Sequence, residues 1–105
     1  MVIELNENKY QIKIVKPDDE NLLMEDGDYH FGVTDFKDKI IYIADNLSNY
    51  AFKYTLLHEI THAVIDSFGF LQVEWNDEIV ADFMANYSTM IADKYNFIME
   101  KLIND

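Results

Sequence analysis

A chain of 105 residues with 50% apolar residues and a net charge of −12 is expected to form one folded domain, residues 1–105. All eight basic residues are lysines, and this acidic balance argues against nucleic-acid and membrane partners. The absence of cysteine excludes disulfides and thiolate metal sites. No stretch approaches the roughly 20 apolar residues of a membrane span, and the first residues lack the pattern of a signal peptide. A cytoplasmic location is therefore expected.

The first half of the chain predicts a small antiparallel or mixed β-sheet of about three to four strands. Alternation of apolar and polar residues predicts a hairpin over residues 2–15. Two more strands are predicted at 29–34 and 39–44, the second of them rich in β-branched and aromatic residues. Between the hairpin and these strands, acidic residues followed by an apolar cluster predict a short helix over 18–25.

The second half predicts two long helices, at about 48–68 and 76–103, on which the sheet packs. Ser48 and Asn76 are suited to be their N-caps, and Gly69 is suited to end the first helix. The fold class is therefore α+β. The second helix has an apolar stripe expected to face the core, formed by Val80, Phe83, Met84, Tyr87, Ile91, Tyr95, Ile98 and Leu102.

The most informative motif is His58-Glu59-Ile60-Thr61-His62, in the first of these helices. A spacing of four residues brings His58 and His62 onto one helix face, about 6 Å apart along the axis. Two imidazoles at this spacing are suited to bind one divalent metal ion, and Glu59 is placed to flank the metal as a general base. The motif therefore predicts a catalytic site with one Zn²⁺ ion.

A catalytic zinc site commonly has three protein ligands and one water, so a third ligand is needed. A metzincin-type continuation is excluded, because Ile65 and Phe68 stand where that class has glycine and histidine. Glu78, in the first turn of the next helix, is the preferred third ligand, and Asp82 lies one turn later on the same face. The remaining alternatives for the third ligand are Asp82 itself, Asp77, Glu74 and Asp66.

The pair of motifs His58-Glu59-Ile60-Thr61-His62 and Glu78-Ile79-Val80-Ala81-Asp82 resembles the active site of the gluzincins, the thermolysin-like zinc metallopeptidases. In its small size, and with Gly32 and the strand before the motif helix, the chain looks most like the ImmA/IrrE-type metallopeptidases of phages and mobile elements. The resemblance covers about residues 30–90. The helix-turn-helix domain of many relatives, and the C-terminal domain of the larger gluzincins, have no counterpart in this sequence.

The resemblance implies a zinc ion bound by His58, His62 and Glu78, with Glu59 as the base. It also implies that Asp82 supports His58. Asp77 stands where thermolysin-like enzymes have an asparagine that supports the second histidine. The larger gluzincins' C-terminal domain supplies donors that stabilise the transition state, so another donor is needed here.

The donor that would stabilise the oxyanion is left open by the sequence. Tyr54 and His30 are the candidates carried forward, and core or rim packing is the more common role of an ordinary tyrosine. Tyr29, Tyr42 and Tyr50 are further candidates. The strand at 39–44 would bind an extended peptide by β-augmentation if it lies at a sheet edge.

The expected function is zinc-dependent hydrolysis of peptide bonds by a narrow-specificity endopeptidase, with one protein or peptide as its substrate. Two other functions compete with it. The first is a metal-binding, partner-binding module that keeps the fold without catalysis, and the second is a toxin or effector hydrolase. The replacement of Glu59 by Gln separates the peptidase from the non-catalytic module, because only the peptidase needs the base.

Overall fold

The computed structural model describes residues 1–104 and has a four-stranded mixed sheet followed by two helices, which confirms the predicted α+β class. The elements in chain order are β1 (Val2–Leu5), β2 (Asn8–Val15), a 3₁₀ turn (Glu20–Leu22), β3 (Gly32–Asp35), β4 (Ile40–Ala44), α1 (Asn49–Ser67) and α2 (Asp77–Asn104). Within these residues, neither helix has a stretch that is both long and apolar enough to cross a membrane.

The first two strands form the predicted hairpin, in which Leu5 pairs with Asn8. The connecting residues Asn6 and Glu7 both have positive φ angles, 48° and 72°. A two-residue turn with positive φ at both positions matches the twist of the flanking strands. Asparagine tolerates this backbone region better than most residues, which explains its place at the turn.

The strand order β1-β2-β4-β3 places β4 inside the sheet and β3 at its edge. β4 pairs in parallel with β2 and antiparallel with β3, so its backbone groups have partners on both sides. Strand 39–44 therefore has no open edge at which an extended peptide could pair. The edge strand beside the motif helix is β3.

The motif helix α1 begins and ends as the sequence predicts. The Ser48 hydroxyl accepts a hydrogen bond from the Ala51 N–H at 3.1 Å, as an N-cap does. Gly69 follows the helix with a φ of 83°, the left-handed conformation that glycine adopts most easily. α1 contacts β1, β3 and β4 on one side and α2 on another, so it is the central helix of the fold.

The second helix buries a narrower stripe than its sequence predicts. Phe83, Ile91 and Ile98 are buried, but Val80 and Met84 are 46% and 48% exposed. Their assignment to the core is wrong. The physical reason is that α2 packs mainly against one neighbour, α1, and a single helix covers only a narrow strip of its surface.

The sheet face turned away from the helices is covered by the 3₁₀ turn, which replaces the short helix predicted at 18–25. Leu22 from this turn is fully buried against Tyr42 and Ala44 of β4. The segment that follows the turn leads into β3, and the Leu22 carbonyl accepts a hydrogen bond from the His30 N–H at 2.8 Å. The turn thus fixes the start of the edge strand.

Gly32 allows β3 to lie directly on α1. A Cβ atom at this position would be 2.6 Å from Thr55 Cγ2 and 3.0 Å from Glu59 Cγ. We expect Gly32→Ala to lower the free energy of unfolding by about 1–3 kcal/mol, because the close contact forces β3 away from the helix. Urea unfolding of the variant measures this loss.

Thr55→Ser removes the methyl group nearest to the added Cβ and should recover part of the loss. A double-mutant cycle of Gly32→Ala with Thr55→Ser is therefore expected to show favourable coupling of about 0.5–3 kcal/mol. Gly27→Ala is the matched control, since a Cβ there meets no atom within 4 Å and its strain comes from a φ of 84°. Equal coupling of Thr55→Ser to both glycine variants would contradict the packing account.

Candidate active site

His58 and His62 lie on one face of α1, as their spacing predicts. Their Nε2 atoms are 3.1 Å apart and their ring centroids 4.7 Å apart. Both side chains are accessible from the surface, and His58 is half exposed. The two rings therefore point their Nε2 atoms towards one common position.

This separation suits two ligands of one metal ion. Two nitrogens at about 2.0–2.1 Å from a tetrahedral Zn²⁺ are about 3.3 Å apart, close to the 3.1 Å between these Nε2 atoms. The same distance also suits an N–H···N hydrogen bond when one ring carries its proton on Nε2. The pair consequently fits two positions of a zinc site.

Two aromatic rings flank the histidine pair. Tyr54 stacks on His58, with centroids 5.9 Å apart and an interplanar angle of 27°. Phe36 meets His62 edge-on, with centroids 6.4 Å apart. Each imidazole of the pair therefore has one aromatic ring beside it.

Glu59 lies beside the pair and is buried, with 6% of its surface exposed. Its Oε1 atom accepts a hydrogen bond from the Thr34 hydroxyl at 2.8 Å. Its Oε2 atom is 4.0 Å from His58 Nε2. The carboxylate therefore has one oxygen bonded to the edge strand β3 and the other on the side of the histidines.

A surface cleft runs between α1 and β3 and contains the histidine pair. It has two parts of about 300 Å³ and 240 Å³, and both are lined by His30, Gly32, His58 and Glu59. The larger part extends along the first turns of α1 and is mostly apolar, with Phe31, Tyr50 and Tyr54 in its walls. The smaller part contains Thr34 and His62.

The structure does not bring the predicted third ligand to the histidine pair. Among residues 1–104, no group of three or more His, Cys, Asp or Glu side chains is arranged to hold one metal ion. Glu78 and Asp77 lie exposed in the first turn of α2, and Asp82 is exposed one turn later. The zinc-binding role of Glu78 and the supporting roles of Asp77 and Asp82 remain predictions.

The rotation of α2 about its axis explains the position of Glu78. Phe83 is buried and contacts Phe70, Trp75 and Tyr87 in an aromatic cluster at the start of the helix. At 100° per residue, Glu78 lies about 140° around the axis from Phe83. Its side chain therefore faces solvent when Phe83 faces the core.

Asp66, one of the alternative third ligands, is occupied elsewhere. It accepts hydrogen bonds from the Tyr10 hydroxyl at 2.5 Å and from Lys39 Nζ at 2.7 Å. Burial acts to raise the pKa of the Asp66 carboxyl, but the hydrogen bonds from Lys39 and Tyr10 outweigh it and the net pKa is lowered. Asp66 thus fastens the end of α1 to β2 and to the loop before β4.

Two residues proposed as donors line the cleft. Tyr54 is 59% exposed and reaches the surface beside His58. His30 is exposed as well, and its Nε2 atom is 2.9 Å from Asp26 Oδ2. Both are near the histidine pair without belonging to a group that holds a metal ion. Their role as donors to an oxyanion stays a prediction.

Thr34 and Phe36 contact site residues but were not singled out from the sequence. The signal for Thr34 is its alternation with Gly32, which puts both residues on one face of the strand. Which face meets the motif helix depends on the pairing of β3 with β4, and that pairing is not visible in the local sequence.

Comparisons with protein-family models, with curated proteins and with solved structures found no match to this chain.

Proposed function

We propose that the chain is a zinc-dependent endopeptidase that hydrolyses one peptide or protein substrate in the cleft between α1 and β3. The observation that carries the proposal is the convergence of His58 Nε2 and His62 Nε2 at 3.1 Å beside a buried glutamate. The resemblance of the two motifs to those of gluzincins supports the same reaction.

The proposed reaction assigns separate tasks to the residues of the motif. His58 and His62 would hold the ion, which would polarise the scissile carbonyl and lower the pKa of a water molecule to about 7. Glu59 takes the proton of the attacking water on Oε2 and passes it to the leaving amine. Its Oε2 atom, 4.0 Å from His58 Nε2, is on the side where this water would lie.

The edge strand β3 offers a way to hold an extended substrate. Its partner β4 occupies one side, and the other side borders the cleft. An extended peptide pairing with β3 would gain main-chain hydrogen bonds and would pass the histidine pair. The apolar part of the cleft beside Phe31 and Tyr54 is suited to a bulky apolar side chain of such a peptide.

Zinc-dependent cleavage of a complex peptide mixture tests the proposal. Peptides from a tryptic digest of a bacterial lysate would be incubated with the zinc-loaded protein, and new termini identified by mass spectrometry. We expect a small set of new cleavage sites that disappears when EDTA is added and returns with excess Zn²⁺. New termini that persist in EDTA would contradict zinc-dependent hydrolysis.

The non-catalytic module remains the competing function, and it makes a different prediction for the same experiment. It requires zinc binding by His58 and His62 without any new peptide termini. The exposed positions of Glu78 and Asp82 do not separate the two functions, because a closed non-catalytic zinc site needs at least as many protein ligands as a catalytic one. The cleavage assay separates these functions directly.

A further inference from the structure

The buried carboxylate of Glu59 depends on a residue outside its own helix. In the part of the chain that the structure describes, the Thr34 hydroxyl is the side-chain group that donates a hydrogen bond to this carboxylate. Glu59 is 6% exposed, so little water is available to replace the bond. Loss of the hydroxyl would leave a buried oxygen without its partner.

The bond distinguishes the two carboxylate oxygens. Thr34 Oγ1 lies 2.8 Å from Oε1, while Oε2 is the oxygen 4.0 Å from His58 Nε2. With Oε1 fixed, rotation about the last side-chain bond of Glu59 is restricted. Oε2 then stays on the side of the histidines, where the proton is to be taken.

We infer that Thr34 is a positioning residue that holds Glu59 so that Oε2 acts as the general base. This inference rests on the proposed peptidase function. It concerns geometry only, because the Thr34 hydroxyl contacts Glu59 and acts through it.

The edge strand β3 holds the Thr34 side chain in place and leaves it little conformational freedom. Gly32, two residues earlier on the same face, lets the strand approach α1 to contact distance. Thr34 is paired with the fully buried Ile41 of β4, which fixes its height along the helix. A β-branched side chain also has few χ1 rotamers in a strand, so the hydroxyl is pre-oriented. The Glu59 carbonyl oxygen, at 3.1 Å, is a second acceptor for the same hydroxyl proton, and the inference rests on the shorter contact of 2.8 Å to Oε1.

The test compares variants with and without the hydroxyl. Thr34→Val and Thr34→Ala remove it, and Thr34→Ser restores it. We expect both variants without the hydroxyl to lose about 10- to 100-fold in kcat on a cleaved peptide, because misplacement of a catalytic group by about 1 Å costs about that much. KM and zinc affinity should change less than about twofold, and Thr34→Ser should recover most of the rate.

Thr61→Val is the matched control. It removes a hydroxyl that donates to the Leu57 carbonyl at 2.7 Å on the same helix, without a contact to the Glu59 carboxylate. We expect its kcat to equal that of the wild type. Equal losses in Thr34→Val and Thr61→Val would assign the effect to helix stability and overturn the inference.

A second measurement needs neither zinc nor substrate. The ¹³C resonance of the Glu59 side-chain carboxyl in the metal-free protein should shift in Thr34→Val and Thr34→Ala. It should return towards the wild-type value in Thr34→Ser and stay unchanged in Thr61→Val. An unshifted resonance in both variants without the hydroxyl would overturn the inference.

The outcomes also separate this inference from the proposed function. If Glu59→Gln abolishes cleavage while Thr34→Val retains the full kcat, the peptidase function stands and the role of Thr34 is wrong. If Glu59→Gln leaves cleavage intact, the base assignment fails and the inference fails with it. A zinc affinity that falls in Thr34→Val in parallel with kcat would overturn the inference, since the loss would then come from the metal site.

Discussion

Replacement of Glu59 by Gln is expected to lower kcat for peptide cleavage by about 10²- to 10⁴-fold, the range that a positioned general base contributes. Glutamine has nearly the same shape and keeps an oxygen that can accept the Thr34 hydrogen bond, so the fold should be retained. It cannot take a proton from water near neutral pH. The measurement is the rate of release of new peptide termini by the zinc-loaded variant.

Two controls show whether a lower kcat in Glu59→Gln comes from the loss of the general base. Zinc affinity should stay within a few-fold of the wild type, because Glu59 is not assigned as a ligand. Glu100→Gln makes the same chemical change at an exposed glutamate outside the cleft and should leave the rate unchanged. Full activity of Glu59→Gln would show that another group is the base.

Removal of either histidine of the pair is expected to lower zinc affinity by more than about 100-fold. Loss of a residue that merely supports a ligand costs about 10- to 100-fold, and His58→Ala or His62→Ala removes the ligand itself. Competition with a chromophoric chelator measures the affinity. His30→Ala is the matched control, since His30 lines the cleft but is paired with Asp26.

The same titration tests the proposed third ligand. Glu78→Ala should weaken zinc binding at least tenfold if Glu78 binds the ion, whereas Glu100→Ala, at an exposed glutamate near the other end of the same helix, should not. Equal affinities for Glu78→Ala and the wild type would remove Glu78 from the site. The peptidase would then need a different third ligand.

Local chemistry explains why α1 and its histidines could be predicted. The Ser48 cap, the left-handed Gly69 and the spacing of His58 and His62 act over a few residues of one helix. Helix geometry then fixes the relation between the two imidazoles with no information from the rest of the fold. The structure shows the two histidines side by side, as their spacing predicts, with the Nε2 atoms 3.1 Å apart.

The parts that the sequence left open or predicted wrongly depend on contacts between distant segments. The position of β4 inside the sheet follows from its parallel pairing with β2, across the whole 3₁₀ and β3 segment. The hydrogen bond from Thr34 to Glu59 forms because β3 is the edge strand that lies beside α1. The rotation of α2, which leaves Val80 and Met84 exposed, is set by the aromatic packing of Phe83. None of these long-range contacts produces a recognisable pattern in a short stretch of sequence.

We propose that His58 and His62 bind one zinc ion beside Glu59. A crystal structure of the zinc-loaded protein, with anomalous diffraction recorded at the zinc edge, tests it most directly. We expect one zinc peak at about 2.0–2.1 Å from Nε2 of both histidines, with Glu59 Oε2 outside the coordination shell. A protein that binds no zinc at this pair, or binds it through Glu59 directly, would contradict the account.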